Sequence, residues 1–479
     1  TEGVVKGDLR GRFARSFTNK TVLVFVSFLA LHLFGLLWTT DPDWGLDLVR
    51  ILAPLLVFAV VLSSVEPMDP HDLKKLLLLF AWATVASTIG CLFIAGGVGA
   101  DHRALSCFIS HIRLALLLCM SVFVFLHYWP RSIWMKLAYA VGIGWSLVYL
   151  DLLQSMSGVA ILLVVLLWYA WQRAGRSAAI ARILIRSCAL VLPLISLAYI
   201  GWCVREHYRV VPSDVNELHG TSAGGEGYYH VPHDLQLENG YYVWRNIADR
   251  ELERGWARRS AMPIMDTQQM PTALHSTLIR YMSSIGSMKD SVGLAALTDH
   301  DVRRIEQGMP SATTGTRNAL RERIDELIFE MDRTQATGDP SGYSLAMRLE
   351  FWRAGVSIAR ENWIHGVGTG DTQLAFDAQY DRMGSKLQPQ WRLRAHNEYL
   401  TLLISFGLPG LIWCLFSWWW PARRAGVFQH PLFIAFAITF AISCLTDDTI
   451  ETQPGATFFA FFYGLLVWGA DRSSGGPAR

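Results

Sequence analysis

The residues TVLVFVSFLALHLFGLLW, from Thr21 to Trp38, decide the fold class of this chain. The run contains no Asp, Glu, Lys or Arg, and it has about the length that a helix needs to cross the hydrocarbon of a bilayer. Comparable apolar runs recur near residues 47–64, 74–96, 105–127, 136–153, 157–172, 184–203, 398–420, 431–446 and 455–470. The pattern predicts an all-α polytopic membrane protein with about 10–12 transmembrane helices and one large, mainly helical external loop.

The composition supports a bilayer as the main solvent. The 479 residues are 52% hydrophobic and only 17% charged, whereas soluble domains carry about a quarter charged residues. We therefore expect membrane lipid around the chain, and the net charge of +2 gives no reason to expect a nucleic-acid partner. The seven cysteines lie in or beside apolar runs, so they predict neither a disulfide framework nor a cysteine-rich metal site.

Basic residues fall in alternate connections between the apolar runs, and this alternation predicts the orientation. They are Lys6, Arg10, Arg12, Arg15, Lys20, Lys74, Lys75, Arg131, Lys136, Arg173, Arg176, Arg182, Arg186, Arg423, Arg424 and Arg472. By the positive-inside rule, both ends of the chain are cytoplasmic and the long insertion is external. The predicted parts are a tail 1–20, a transmembrane bundle 21–204, an external loop domain 205–395, C-terminal transmembrane helices 396–470 and a tail 471–479.

Two features near the end of the insertion predict local structure. Ser344–Glu361 reads as an amphipathic helix that carries an apolar stripe of Leu345, Leu349, Trp352 and Val356. The Gly366–Gly370 segment lacks the strand–turn–helix context of a nucleotide site, so it predicts a turn that allows close backbone approach. A broken helix near Gly407–Gly410, or a further span over residues 363–376, would raise the number of transmembrane helices to twelve.

The segment RLRAHNEYL, residues 392–400, stands directly before the eighth apolar run. It places an imidazole, His396, at the external membrane boundary, where it can act as a general base toward a hydroxyl. The alternative interpretation is an interfacial anchor, in which Asn397 caps the helix and the arginines reach the lipid headgroups. A carboxylate such as Glu398 is a second candidate for the proton acceptor.

Three arginines are candidate ligands for an anion. Arg113 lies inside the fourth apolar run, where burying a guanidinium costs about 2.5 kcal/mol or more. Arg280 and Arg348 lie on predicted helices of the insertion. A guanidinium can bind two phosphate oxygens at once through parallel N–H donors. The three arginines together would therefore form a pyrophosphate site if they lie around one cleft. Alternatively, Arg113 forms a buried structural pair, and the other two are solvated or salt-bridged.

No metal site is predicted. His230 and His233 form an HxxH pattern in a loop rich in Gly, Tyr and Pro, and no third ligand stands at a suitable spacing. We therefore expect no metal and no cofactor.

Four motifs in a fixed order resemble the O-antigen ligase and polymerase superfamily. They are Arg348-x3-Trp352, Gly366-Val367-Gly368-Thr369-Gly370, His396-Asn397-x2-Leu400 and Gly407-Leu408-Pro409-Gly410. The match is close over about residues 345–415, and within the superfamily the chain is most similar to the O-antigen ligases. The family usually has His-Pro before the glycine-rich turn, where this chain reads Asn362-Trp363-Ile364-His365.

The resemblance implies a glycosyltransferase in the bacterial inner membrane, with its active face toward the periplasm. Such an enzyme moves a glycan from undecaprenyl pyrophosphate to a sugar hydroxyl of lipid A–core, inverts the anomeric centre and needs neither metal nor ATP. Under this hypothesis His396 is the general base, Asn397 helps to orient it, and Arg113, Arg280 and Arg348 hold the pyrophosphate.

Other functions stay open at this point. Within the superfamily, an O-antigen polymerase or a protein oligosaccharyltransferase would use the same donor with another acceptor. A transporter of lipid-linked sugar belongs to a different class, and it would favour an internal repeat and polar residues along many spans.

Overall fold

The computed structural model describes residues 9–97, 104–153, 155–175, 178–266, 271–317 and 319–471. Several predicted features lie outside these ranges. They are the basic residues Lys6, Arg176 and Arg472, much of the connection between the third and fourth apolar runs, Gln154 at the start of the short connection after the fifth, and most of the tail 471–479.

The described chain is almost entirely helical. Its helices are α1 Leu9–Thr18, α2 Lys20–Gly35, α3 Pro42–Ser64, α4 Pro70–Ile94, α5 His111–His127, α6 Ile133–Leu152, α7 Met156–Ala174, α8 Ala179–His207, α9 Asp249–Trp256, α10 Ala273–Ser284, α11 Ser291–Ala295, α12 Asp299–Glu306, α13 Ala319–Thr337, α14 Ser344–Glu361, α15 Thr372–Met383, α16 Glu398–Arg424, α17 Pro431–Thr446 and α18 Gln453–Gly464. Short 3₁₀ turns occupy Leu36–Trp38, Asp214–Asn216, Pro389–Trp391 and Val427–Gln429, and a π turn, Leu465–Gly469, follows α18. One small antiparallel hairpin joins β1 Leu237–Glu238 to β2 Tyr241–Tyr242.

Each of the ten predicted apolar runs forms a helix, which confirms the all-α polytopic fold class. Seven helices in the described part are long and apolar enough to cross a bilayer: α2 with its 3₁₀ turn, α3, α4, α6, α7, α8 and α16. Helices α5 and α17 are apolar but shorter. Two helices begin several residues before the predicted start, because Asp41 and Asp69 cap them ahead of a proline in the first turn.

The chain divides into two compact units. Unit 1 comprises residues 1–189, 350–385 and 392–479, and unit 2 comprises residues 190–349 and 386–391. Residues 350–385, which belong to the predicted loop domain, thus cluster with the membrane helices.

The core of unit 1 is rich in aromatic side chains. Helix α2 packs on α3 and α16, while α18 packs on α3. The rings of Phe25 and Tyr463 stack at 4.6 Å between centroids, and those of Phe440 and Phe459 at 4.2 Å. Stacked rings bury large apolar areas in preferred geometries, so they fix the positions of α2, α17 and α18.

Unit 2 has a separate core. Its fully buried side chains include Leu252, Trp256, Leu278, Tyr281 and Ile305, which come from α9, α10 and α12. Helix α12 begins with a capping box between Thr298 and Asp301. This unit therefore has an apolar interior of its own between the helices of the predicted external loop.

The glycine-rich turn and the break in the eighth apolar helix support each other. Gly366 and Gly368 have φ values of +70° and +99°, and the backbone N–H of Val367 donates to the carbonyl of Ile404 at 2.9 Å. Gly407 leaves the helical conformation at φ +67°, and a Cβ there would collide with the backbone of Ile364. The predicted close-approach turn is confirmed, and the eighth apolar helix is broken at Gly407.

Helix α14 has the predicted bounds, but the predicted stripe is not its buried face. Leu349 is 44% exposed and Val356 is 41% exposed, whereas Phe351 and Ile358 are buried. The predicted stripe is therefore partly exposed, because α14 carries a second apolar row and that row packs inward.

Candidate active site

His396 stands in an unusual backbone conformation just before α16. Its φ of +45° is in the left-handed region, which costs a residue with a side chain about 1–3 kcal/mol unless neighbouring contacts hold it. Such contacts flank it on both sides. The indole Nε1 of Trp352 donates to the carbonyl of Ala395 at 3.0 Å, and the backbone N–H of Asn397 donates to Asp448 Oδ1 at 3.2 Å.

Asn397 is the N-cap of α16. Its Oδ1 accepts from the backbone N–H of Leu400 at 3.0 Å, and its Nδ2 donates to the carbonyl of Leu445 at 3.2 Å. The side chain thus links the start of α16 to the end of α17. The capping expected from the sequence is present, and the contact with α17 is an addition that the sequence did not predict.

Asp447 connects the imidazole to the buried arginine. His396 Nδ1 lies 3.2 Å from Asp447 Oδ1, and the guanidinium of Arg113 forms a salt bridge with the other carboxylate oxygen. Because a carboxylate oxygen that is also salt-bridged to arginine accepts hydrogen bonds, we assign the donor role in this contact to Nδ1–H. The lone pair of the imidazole then lies on Nε2, as a general base requires. The His396 side chain is 37% exposed, so solvent or substrate can reach it.

Arg113 is fixed by the short connection 447–452 between α17 and α18. Besides the salt bridge, its Nε donates to Thr452 Oγ1 at 3.2 Å, and a terminal nitrogen donates to the carbonyl of Asp448 at 3.3 Å. The side chain of Arg113 is 8% exposed. Of the two interpretations given above, this geometry favours a buried structural pair.

A second buried ion pair lies in the same connection. Arg394 pairs with Glu451, and although burial alone would lower the pKa of Arg394, the neighbouring carboxylates raise it. Glu398 is fully buried, and its Oε2 accepts from the backbone N–H of Ile450 at 2.9 Å. A carboxylate enclosed in this way supports the connection, and it is a poorer candidate than His396 for contact with an incoming hydroxyl.

The two arginines predicted in the insertion both lie in unit 2, and their surroundings differ. Arg280 is paired: its Nε donates to Glu238 Oε1 at 2.7 Å, and its guanidinium lies 4.0 Å from the ring centre of Phe329. Arg348 is half-buried and forms no hydrogen bond or ion pair with a residue that the structure describes. Burial and the neighbouring Arg323 lower its pKa, and the carboxylate of Glu330 offsets this effect only in part.

The acidic connection is the part of the site that the sequence reasoning missed. Asp447, Asp448 and Glu451 stand within five residues between two apolar helices. Carboxylates in so short a connection need cations nearby, and Arg113 and Arg394 were the available ones. That charge balance is the signal that could have identified them.

The described residues offer little for a metal. A grouping with suitable distances is Asp69, His71 and Asp72, but it is exposed, and Asp69 is occupied as the N-cap of α4. His230 is also engaged, because its Nε2 contacts the carbonyl of His219 at 2.9 Å and its Nδ1 accepts from the N–H of Asn246 at 3.1 Å.

Comparison with known proteins supports the resemblance. No curated protein matches the chain. A family model described as Wzy_C, O-antigen ligase, matches residues 307–415. The matched segment holds Arg348, the glycine-rich turn, His396 and Asn397, whereas Arg113, Arg280 and the acidic connection lie outside it. Over these residues the chain is similar to an O-antigen ligase domain.

Proposed function

We propose that the chain is an O-antigen ligase, a glycosyltransferase that moves a glycan from undecaprenyl pyrophosphate to a sugar hydroxyl of lipid A–core. The observation that carries the proposal is the hydrogen bond between His396 Nδ1 and Asp447, which is itself paired with Arg113. An imidazole oriented in this way by a carboxylate suits the removal of a proton from an acceptor hydroxyl.

The reaction needs one base and a stabilised leaving group. Nε2 of His396 takes the proton of the acceptor hydroxyl while its oxygen attacks the anomeric carbon and the bond to the pyrophosphate breaks. Attack from the face opposite the leaving group inverts the anomeric centre. Because a pyrophosphate is already an activated leaving group, the protein has to position the reactants and stabilise the developing charge. The mechanism therefore uses neither metal nor ATP.

The predicted arginines take different parts in this mechanism. We assign Arg348 to the leaving pyrophosphate, because its half-buried guanidinium forms no ion pair within the described part of the chain and Glu330 offsets its charge only in part. Arg280 contributes there as well, although Glu238 already binds it. Arg113 acts mainly by holding Asp447, and Asn397 acts by fixing the start of α16 beside His396. Direct contact of Arg113 with the pyrophosphate stays a prediction.

The bacterial inner membrane, with the site facing the periplasm, is the location that we propose. The distribution of basic residues supports this location. The connections on the same predicted face of the membrane as His396 contain few Lys and Arg, as the positive-inside rule expects of external connections. Donor and acceptor are both amphiphiles, so both can reach such a site from the outer leaflet.

Purified protein in proteoliposomes tests the function. The glycan-bearing donor is supplied with lipid A–core, with a second molecule of the donor, or with a pilin as acceptor. We expect a new glycosidic bond to lipid A–core, with loss of the reaction in His396→Ala protein. Products from the second or third acceptor alone would instead indicate a polymerase or a protein oligosaccharyltransferase. Movement of the donor across the bilayer without a new bond would indicate a transporter.

A further inference from the structure

A groove of about 530 Å³ runs between α14 and α15 in unit 1. Its walls are formed by Trp352, Arg353, Val356, Ser357, Arg360, Gln379 and Met383. The five positions on α14 repeat at the spacing of one helix face, and the two on α15 are four residues apart, so two helix faces form the groove. It includes Trp352 and Val356 of the predicted apolar stripe of α14.

Several polar groups of the groove lack hydrogen-bond or ion-pair partners within the described part of the chain. Arg360 and Ser357 form no hydrogen bond or ion pair with any residue in the described ranges, and Arg353 has only a long contact of 3.8 Å with Glu350. Gln379 is 5% exposed, and its buried amide oxygen has no hydrogen-bond partner within the described part of the chain. A buried polar atom without a partner is costly, which favours a polar ligand beside it.

The spacing of the charges indicates the kind of ligand. Arg360 follows Arg353 by seven positions on α14, so their backbones are about 10 Å apart along the helix axis. Guanidiniums bind phosphate and carboxylate groups, and the indole of Trp352 offers a flat apolar face of the sort on which a sugar ring packs. An anionic saccharide of a few sugar units matches this combination of two cations, one hydroxyl and one aromatic surface.

One wall of the groove is connected to the proposed general base. The Nε1 of Trp352 donates to the carbonyl of Ala395, the residue before His396, and the ring of Phe351 lies 5.8 Å from the imidazole. A saccharide in the groove therefore has one end close to the segment that carries the base. The substrate that must present a hydroxyl to that base is the acceptor.

We propose that this groove binds the acceptor saccharide through phosphate or carboxylate groups on its sugars. The proposal rests on the ligase function proposed above, because it assigns one of the two substrates of that reaction. Arg353 and Arg360 bind the anionic groups, and Trp352 supports the sugar ring nearest to His396.

The first test separates acceptor affinity from catalysis. In the proteoliposome assay, Arg353→Ala, Arg360→Ala and the double variant are compared with Arg382→Ala, whose side chain pairs with Glu361 and does not line the groove. We expect the KM for the acceptor to rise about 10-fold for each single variant, with kcat and the KM for the donor unchanged. Unchanged acceptor KM in the double variant, or an equal change in donor KM, would overturn the proposal.

The second test measures binding without turnover, so it stands even if the proposed reaction is absent. The probe is deacylated, phosphate-bearing core oligosaccharide, added to full-length His396→Asn protein and followed by saturation-transfer NMR. Binding that is lost in the Arg353→Ala/Arg360→Ala protein supports the groove as the site. Loss after phosphatase treatment of the probe assigns phosphate, and loss after carboxyl reduction assigns carboxylate. Binding that survives both treatments, or that the double variant retains, rejects the groove.

Discussion

Buried guanidiniums in two regions of the chain differ in whether a carboxylate pairs with them. Around the connection 447–452, Arg113 is paired with Asp447 and Arg394 with Glu451, and both pairs are largely buried. In unit 2, Arg348 is half-buried beside Arg323 and lacks a carboxylate within ion-pair distance among the described residues. A paired guanidinium organises its neighbours, whereas an uncompensated one is available to an anion. Under the function proposed above, the first region holds the imidazole and the second binds the leaving group.

The largest effect is expected at His396. The variant His396→Asn removes the base but tolerates the left-handed backbone, which Asn adopts more readily than most residues. We expect glycan transfer to fall by about 10²- to 10⁴-fold, with the unfolding temperature almost unchanged. Initial rates in proteoliposomes and thermal unfolding in detergent measure the two quantities. The exposed His365→Asn variant is the control, and transfer at the normal rate in His396→Asn protein would exclude a base at this position.

The buried pair tests whether the first region organises the base. Asp447→Asn leaves Arg113 without its carboxylate, and breaking a buried pair lowers the free energy of unfolding by about 3–5 kcal/mol. It also removes the acceptor that fixes the tautomer of His396, so transfer should fall by about 10²-fold.

A double variant separates these two effects of Asp447. In Arg113→Met/Asp447→Asn protein the unpaired charge is gone, so the unfolding temperature should recover while transfer stays low. Recovery of both quantities would mean that Asp447 has only a structural part and does not orient His396.

Arg348 and Arg280 of unit 2 test whether an unpaired guanidinium binds the donor while a paired one mainly stabilises the fold. We expect Arg348→Ala to raise the KM for the donor about 10-fold while changing the free energy of unfolding by less than about 0.5 kcal/mol. Arg280→Ala leaves the buried carboxylate of Glu238 unpaired, so it should lower the free energy of unfolding by about 2–4 kcal/mol. Donor titrations and thermal unfolding distinguish the two, with the exposed Arg382→Ala as control. If Arg348→Ala and Arg280→Ala lowered the free energy of unfolding equally, the distinction between an unpaired and a paired guanidinium would be wrong.

The fold was predictable because membrane helices are encoded locally. Apolar runs long enough to span a bilayer, such as Thr21–Trp38, form helices whatever their partners are, so each was found from its own residues. Helix starts were less predictable, because a capping aspartate such as Asp41 extends a helix beyond its apolar part. The buried face of α14 was missed, because Phe351 and Val356 are both apolar and only packing decides between them.

The site was predictable only in part, because half of it comes from distant sequence. His396 and Asn397 were evident from their place before an apolar run. Their partners Asp447 and Asp448 lie about fifty residues later, and neither spacing nor periodicity relates the two segments. The requirement that buried carboxylates and guanidiniums balance is the one sequence-level argument that joins them.

The smallest predicted effect concerns a third kind of charged site, a carboxylate in unit 2 bound only by neutral donors. Glu251 accepts from the backbone N–H and the hydroxyl of Ser291 at 2.9 and 2.7 Å, and from the hydroxyl of Ser222. Burial would raise its pKa, but these hydrogen bonds outweigh that effect and lower the pKa from 4.5 to about 2. The unfolded chain therefore binds more protons than the folded chain between about pH 2 and pH 4.5.

It follows that Glu251 stabilises unit 2 fully above about pH 4.5 and loses this contribution as the pH falls toward 2. The variant Glu251→Gln should lower the free energy of unfolding by about 1–3 kcal/mol at neutral pH, because its amide cannot accept all of these hydrogen bonds. The difference from the unmodified protein should shrink steadily on acidification, as thermal unfolding between about pH 3 and pH 7 would show. Glu253→Gln on the same helix should show no such trend. A Glu251→Gln deficit that persists unchanged at low pH would mean that the hydrogen bonds do not depend on the ionised form, and that charge in unit 2 matters only where guanidiniums are involved.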